Sequence, residues 1–368
     1  MLNRERIYTA SASLVFIVLF VYVIIILRNF LYPLFIAVFL SYMLYRPANY
    51  LEKLKVPRII ANLFTIFICL LAVYMLGRLL YVQLQSFLQD FPAMNDQMLQ
   101  NVIQIESKLE RIFRMDESRK QGWLAESVIG LIDLSGTFIR NILSSTTDTV
   151  VKLLLIPVYI FFILYYRNKF EIFLFRITSG EKHKMTQSVV LGITGMMKNY
   201  VTGVVIVILI LCVINSLGLM IVGIKYPVLL GIISALFNFI PYFGTLIGGA
   251  VPFIFSLLTE DFATAGSIVV LFLIVQFLEN NILTPNITGG QVRINPFFTI
   301  LSIIAGGMLW GLPGMILAVP VVGILKIIFD HVPSLEPYSF LLGKGGTEEH
   351  ALTFDKIKIK IKKVFRKK

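Results

Sequence analysis

An all-α, polytopic integral membrane protein is the fold class this chain predicts, and three observations lead there. Hydrophobic residues make up 57% and charged residues 15% of its 368, against about 45–50% and 25% in soluble domains. The apolar residues are bunched into about eight hydrophobic units, at roughly 8–27, 30–45, 59–80, 149–166, 200–222, 227–258, 264–283 and 296–329. A helix needs about 20 such residues to cross a hydrocarbon core about 30 Å thick. Finally, Tyr226–Leu258 and Pro296–Phe329 are each longer than one crossing and too short for two, and both are punctuated by glycine and proline.

The first unit follows Met1–Arg6, and its run Ile7–Leu27 exceeds the about 7–15 residues of a cleavable signal segment. It reads as a retained helix, the first of three in an N-terminal membrane unit, 1–80. Residues 81–148 form a polar, helical insertion outside the membrane. Met98, Val102, Ile105, Leu109 and Ile112 recur there at helical spacing, and the preferred reading is a helix folded onto the protein's own surface rather than a subunit-assembly helix. Residues 149–330 form the C-terminal membrane core and 331–368 a basic tail. That tail ends Arg366-Lys367-Lys368 and either lies on anionic headgroups or stays unstructured. Gly343-Lys344-Gly345-Gly346 reads as a linker.

Net charge is +12, but the cations sit beside spans and in the tail, which fits lipid and orientation rather than nucleic acid. With the N-terminus inside, the inner segments carry 22 of the 33 Lys and Arg residues. Both termini are therefore expected on the cytoplasmic side. Cys69 and Cys212 lie within apolar spans, so neither a disulfide nor a metal site is expected. No phosphate loop, nucleophile elbow or HExxH pattern occurs. The chain is expected to be no enzyme and to need no cofactor.

The two broken units hold Pro241, Gly244, Gly248, Gly249 and Pro252, and Pro296, Gly306, Gly307, Gly311, Pro313, Gly314 and Pro320. Backbone groups freed by a break cannot face lipid, so such segments survive only against protein or a water-filled cavity. Paired interruptions of this kind point to a transport site. Each unit is either a kinked crossing or a re-entrant segment. Treated as single net crossings, both begin outside, at Pro227 and Pro296, and the link holding Arg293 is external.

The strongest polar constellation is Gln276-Phe-Leu-Glu279-Asn280-Asn281-Ile-Leu-Thr-Pro285. A carboxylate inside a span is costly and marks a pathway by default. Gln276, Glu279 and Asn280 share one helical face, offering one titratable group flanked by carboxamides, as a cation or proton site requires. Alternatively, Glu279 sits near the outer end and touches headgroup water. Asn238 either satisfies backbone freed at Pro241 or lines a solute path. Asn215 and Ser216 are read first as interhelical hydrogen-bonding groups.

The stretch from Gln276 through Thr284-Pro285 to Asn295-Pro296, with Gly306-Gly307 to Pro320 and Ile240-Pro241-Tyr-Phe-Gly244 to Pro252, resembles the autoinducer-2 exporter family of bacterial permeases. The resemblance implies a cytoplasmic-membrane permease without an ATPase. Some members of that family are linked to release of the quorum-sensing signal autoinducer-2, and others resemble Na⁺(Li⁺)/H⁺ antiporters. A secondary transporter of a small solute is the expected function, with a monovalent cation or proton as the alternative ligand. A non-transporting envelope scaffold is the remaining alternative. The partners expected of the chain are the lipid bilayer and a small solute or monovalent cation or proton, with no nucleic acid and with assembly into a homo-oligomer left open.

Overall fold

Where no water reaches the backbone, its polar groups must bond within the chain, and helices do this locally. Every regular element of the described residues is accordingly helical. The computed structural model describes residues 4–113, 147–178, 180–241, 243–288 and 294–345. In chain order the helices are α1 (Arg4–Ile26), α2 (Arg28–Lys53), α3 (Arg58–Phe113), α4 (Thr147–Ile177), α5 (Glu181–Val222), α6 (Pro227–Phe237), α7 (Phe243–Thr259) and α8 (Phe262–Leu278). A π-helical segment (Glu279–Leu283) joins α8 to α9 (Thr284–Thr288), and α10 (Pro296–Trp310), α11 (Leu312–His331) and α12 (Glu336–Leu342) follow.

Five helices among the described residues are long and apolar enough to cross a membrane: α2, Arg58–Met94 of α3, His183–Val222 of α5, the rod Phe262–Thr288, and α11. Ser11–Ile26, α6, α7 and α10 are shorter apolar helices. Their outward surfaces carry leucine, isoleucine, valine and phenylalanine, which lipid can solvate and water cannot. The chain is a multi-pass membrane protein.

Polar contacts define its two faces. On one, Glu52 accepts from Arg167 at 2.6 Å and from Arg58 at 3.4 Å, joining α2, α3 and α4. On the same face Arg46 donates to Asn199 at 2.9 Å. At the opposite face, Tyr226 donates to Asp90 at 2.5 Å, and Asn101 donates to the carbonyls of Leu258 and Glu260 at 2.9 and 3.2 Å. α5 runs from the arginine face at Asn199 to the other at Val222, a rise of about 35 Å at about 1.5 Å per residue.

α3 does not stop at the membrane boundary expected near residue 80. It continues unbroken to Phe113, and its Met94 and Met98 are buried with Leu219, Ile224, Phe255 and Ile268. The apolar stripe of the insertion thus lies on the ends of α5, α7 and α8 as far as Val102.

The broken units are helical hairpins, which corrects the single-crossing expectation. In the first, α6 and α7 pack antiparallel: Ser234 donates to the Gly248 carbonyl, and the rings of Tyr226 and Phe255 stand 6.2 Å apart at the open end. In the second, α10 and α11 touch backbone to backbone at Gly306 and Gly314, where a methyl on either would strike the other's carbonyl oxygen. Gly311 turns this hairpin at φ +64°, a conformation that L side chains resist. Pro252 and Pro320, expected as breaks, lie inside α7 and α11. Pro296 and Pro313 open helices, where a missing N–H costs nothing.

Because the first hairpin returns to its own face, the rod α8–α9 runs back to the arginine face. Its last residue, Thr288, closes a small recess with Arg46 and Asn199. The hairpins therefore enter from opposite faces, so Pro227 and Pro296 do not share a side. Ile240 near the first tip joins Ile303 and Leu317 of the second hairpin in one apolar cluster with Phe39 and Val201.

Candidate functional site

The rod that carries the polar constellation starts with a cap. Asp261 accepts from the Thr264 N–H at 2.7 Å, and these hydrogen bonds hold its carboxyl below the usual carboxylate range. Seventeen residues follow, apolar or small except for Gln276, before the helix widens at Glu279. Pro285 supplies the physical reason, since it cannot donate to the carbonyl four residues back and its ring crowds it. The ladder relaxes to a longer bond in which the Thr284 N–H donates to the Glu279 carbonyl. Such π segments often mark functional sites.

Glu279 begins that widened turn, and only 8% of it is exposed. Asn238, in the turn of the first hairpin, donates to its Oε1 at 2.6 Å. Its Oε2 is buried with no hydrogen-bond partner. Beside the pair lies a cavity of about 490 Å³ whose walls include Tyr200, Asn238, Pro241, Gln276, Glu279 and Asn280. It extends toward the arginine face, past Thr288 of α9 and Ile294 and Thr299 at the root of the second hairpin. Glu279 is nine residues before Thr288 and seventeen after Phe262. It lies deep within the rod and nearer the arginine face, not at the end that an external link after α8 would put outside.

Gln276, Glu279 and Asn280 thus come together with Asn238 and Pro241. Asn281 does not join them: it is exposed and donates to the Phe277 carbonyl at 2.8 Å. Gly244 and Gly248 face α6 within the hairpin, Gly249 packs against Phe272 of α8, and Gly307 packs against Met315. These glycines admit neighbours rather than break helices. Arg293, like the tail from residue 346 onward, lies outside the described residues.

Sequence reasoning missed Tyr200, Thr245, Thr284, Thr288, Thr299 and Lys344, all on the cavity wall. Thr288 and Thr299 each donate to a carbonyl one turn back, at 2.6 and 3.1 Å, and so look purely structural in a linear reading. Lys344 sits in the Gly-rich segment read as a linker. The helix that leads into it is docked, because the Asn295 N–H donates to the carbonyl of Leu342, the last residue of α12, at 2.7 Å. Among the described residues, no group of three or more His, Cys, Asp or Glu side chains is placed to hold a metal ion.

Two opposed hairpins, long apolar crossings and a polar cavity around a buried carboxylate are the architecture of a membrane permease. The model of the AI-2E family transporters matches residues 14–334, and the chain belongs to that family. It is 27% identical over 322 residues to the Bacillus subtilis protein named "Putative transport protein YrrI", covering 83% of this chain and 87% of that one. "Putative transport protein YueF" of the same species is 24% identical over 352 residues, 90% and 95% of the two chains. "Putative transport protein YhhT" of Escherichia coli K12 is 22% identical over 328 residues, 85% and 87%. The family resemblance expected from the C-terminal motifs thus extends across nearly the whole chain.

Proposed function

We propose that this permease is a secondary transporter of the bacterial cytoplasmic membrane that exports a small polar solute, such as autoinducer-2, by alternating access. The observation that carries the proposal is the buried Glu279–Asn238 pair on the wall of the cavity of about 490 Å³. That volume falls in the range of about 300–1,000 Å³ typical of small-molecule sites. Carboxamides and hydroxyls of Asn238, Gln276, Asn280 and Thr299 on the wall suit a solute rich in hydroxyl groups. The excess of Lys and Arg near one face supports a cytoplasmic assignment for that face and for both termini. On this reading the cavity opens to the cytoplasm, the side from which an exporter loads.

A second reading, a Na⁺(Li⁺)/H⁺ antiporter, is favoured by the unpartnered Oε2 of Glu279. In either reading Glu279 is the binding or coupling group and Asn238 orients it. In proteoliposomes, Glu279→Gln is expected to lower solute or ion flux at least about tenfold, a change of about 1.4 kcal/mol in barrier, with the yield of folded protein retained. Wild-type flux by that variant would remove Glu279 from the mechanism. Proton flux on adding Na⁺ or Li⁺ to everted vesicles separates the two readings.

A further inference from the structure

Beside the solute cavity a smaller recess opens on the arginine face, where α2, α5 and the end of the rod meet. Its space is about 150 Å³, and its polar lining is Arg46 of α2, Asn199 and Thr202 of α5, and Thr288 of α9. Gly203 lets the rod lie this close to α5, since a methyl there would stand 2.9 Å from the Thr288 side chain.

The polar groups of the recess are set to donate. Arg46 Nη2 donates to Asn199 Oδ1 at 2.9 Å, and Arg46 takes part in none of the described salt bridges. Most of its guanidinium N–H groups therefore remain for a ligand, and Asn199, having accepted through Oδ1, keeps its amide N–H groups. Thr202 Oγ1 is buried without a hydrogen-bond partner. No carboxylate lines the space. A fixed cation with carboxamide and hydroxyl donors, unopposed by any acid, suits an oxyanion. The guanidinium fork matches a phosphate in particular, through two parallel bonds.

The apolar wall indicates where that phosphate comes from. Ile206 and Ile287 complete the lining. Ile206 begins a stripe on α5 with Leu209 and Val213, which are 41, 56 and 57% exposed. Spacings of three and four residues put them on one helical face, leading from the recess into the bilayer. A free phosphate gains nothing from such a track, whereas an acyl chain does. The headgroup is narrowed by charge. Choline or ethanolamine would bring a second cation that no carboxylate here receives. Thr288 donates to the Thr284 carbonyl at 2.6 Å, which leaves its oxygen an acceptor for a headgroup hydroxyl.

We propose that Arg46, Asn199 and Thr202 bind one anionic phospholipid of the phosphatidylglycerol type, its phosphate in the recess and one chain along Ile206, Leu209 and Val213. Thr288 lines the recess and the solute cavity alike, so the bound headgroup fastens the end of the rod beside that cavity. The site stands independently of the transporter reading, because its readout is retained lipid and not flux.

The test is native mass spectrometry of the full-length protein, released from neutral-detergent micelles that contain a rising fraction of phosphatidylglycerol or phosphatidylcholine. One phosphatidylglycerol per chain is expected at fractions where phosphatidylcholine is not retained. Arg46→Gln should raise the half-saturating fraction at least about tenfold, the scale of a lost charge-assisted bond, and Arg46→Lys should recover part of the loss. Should the Arg46 variants misfold, Thr202→Val removes one hydroxyl and should weaken retention about fivefold. Lys53→Gln, exposed next to Glu52 on the same face but outside the recess, should bind as wild type. Equal retention of the two lipids, or equal losses in Lys53→Gln and Arg46→Gln, would mean diffuse surface attraction and would overturn the site. Displacement of the lipid by excess inorganic phosphate would mean that the recess holds a free oxyanion, and would overturn the lipid assignment.

Discussion

The two hairpins share a construction and differ in what their turns do. Both bring antiparallel helices into backbone contact through glycine, at Gly248 against Ser234 in one and at Gly306 against Gly314 in the other. The first turn spans several residues after Phe237 and ends in the interior, where Asn238 meets Glu279. The second turns on the single residue Gly311, and its tip is clamped to the outer helices. Trp310 Nε1 donates to the Ile24 carbonyl at 3.2 Å, and its ring lies 5.4 Å from that of Phe35. The first hairpin offers a polar tip to the site. The second offers its root, through Thr299. Similar glycine packing therefore serves a working turn in one unit and an anchor in the other.

That division is open to direct attack. The largest effect is expected from Gly314→Val, where the obstructing atoms are backbone and cannot rotate away. The loss of stability should exceed the about 1–3 kcal/mol of ordinary overpacking, seen as collapse of the monodisperse fraction on size-exclusion chromatography. Next comes Asn238→Ala, which leaves Glu279 without its donor. Flux should fall roughly tenfold, while the unfolding midpoint moves by no more than a lost partner of about 1–3 kcal/mol implies. Trp310→Phe removes one anchoring hydrogen bond, a cost of about 0.5–1.5 kcal/mol, and should leave flux per folded molecule unchanged. If Trp310→Phe instead lowered flux as far as Asn238→Ala, the contrast between a working tip and an anchored one would be lost.

The smallest effect belongs to the cap of α8. Asp261 is fully exposed, and its folded carboxyl is held below its ordinary value by Thr264. The sign follows: the cap stabilises above the unfolded carboxyl range and is lost as pH falls through the depressed folded value. Asp261→Ala should lower the unfolding midpoint slightly at neutral pH, and the difference should vanish in strong acid. A difference that persisted there would assign the role of Asp261 to something other than its charge.

Much of this was legible in the chain. Gln276, Glu279 and Asn280 share a face because helical spacing is local, and the structure brings that face to the cavity wall. Asn281, one residue further, turns away for the same reason. The direction of the rod was not legible. It depended on whether Tyr226–Leu258 crosses or returns, and hydropathy is the same for both. Nor could a glycine that makes a turn, Gly311, be told from one that admits a neighbour, Gly306 or Gly314.

By itself, the amino-acid sequence determined the class, the apolar segments, the two interrupted units and the helical face bearing the carboxylate. Each follows from composition or from spacing within one helix. The tertiary structure alone decided that the interrupted units double back from opposite faces, and that Asn238 meets Glu279 across 41 positions. It also decided that Lys344 belongs to the cavity wall. These outcomes rest on contacts between distant segments, and a polar side chain carries no local mark of the partner that will satisfy it.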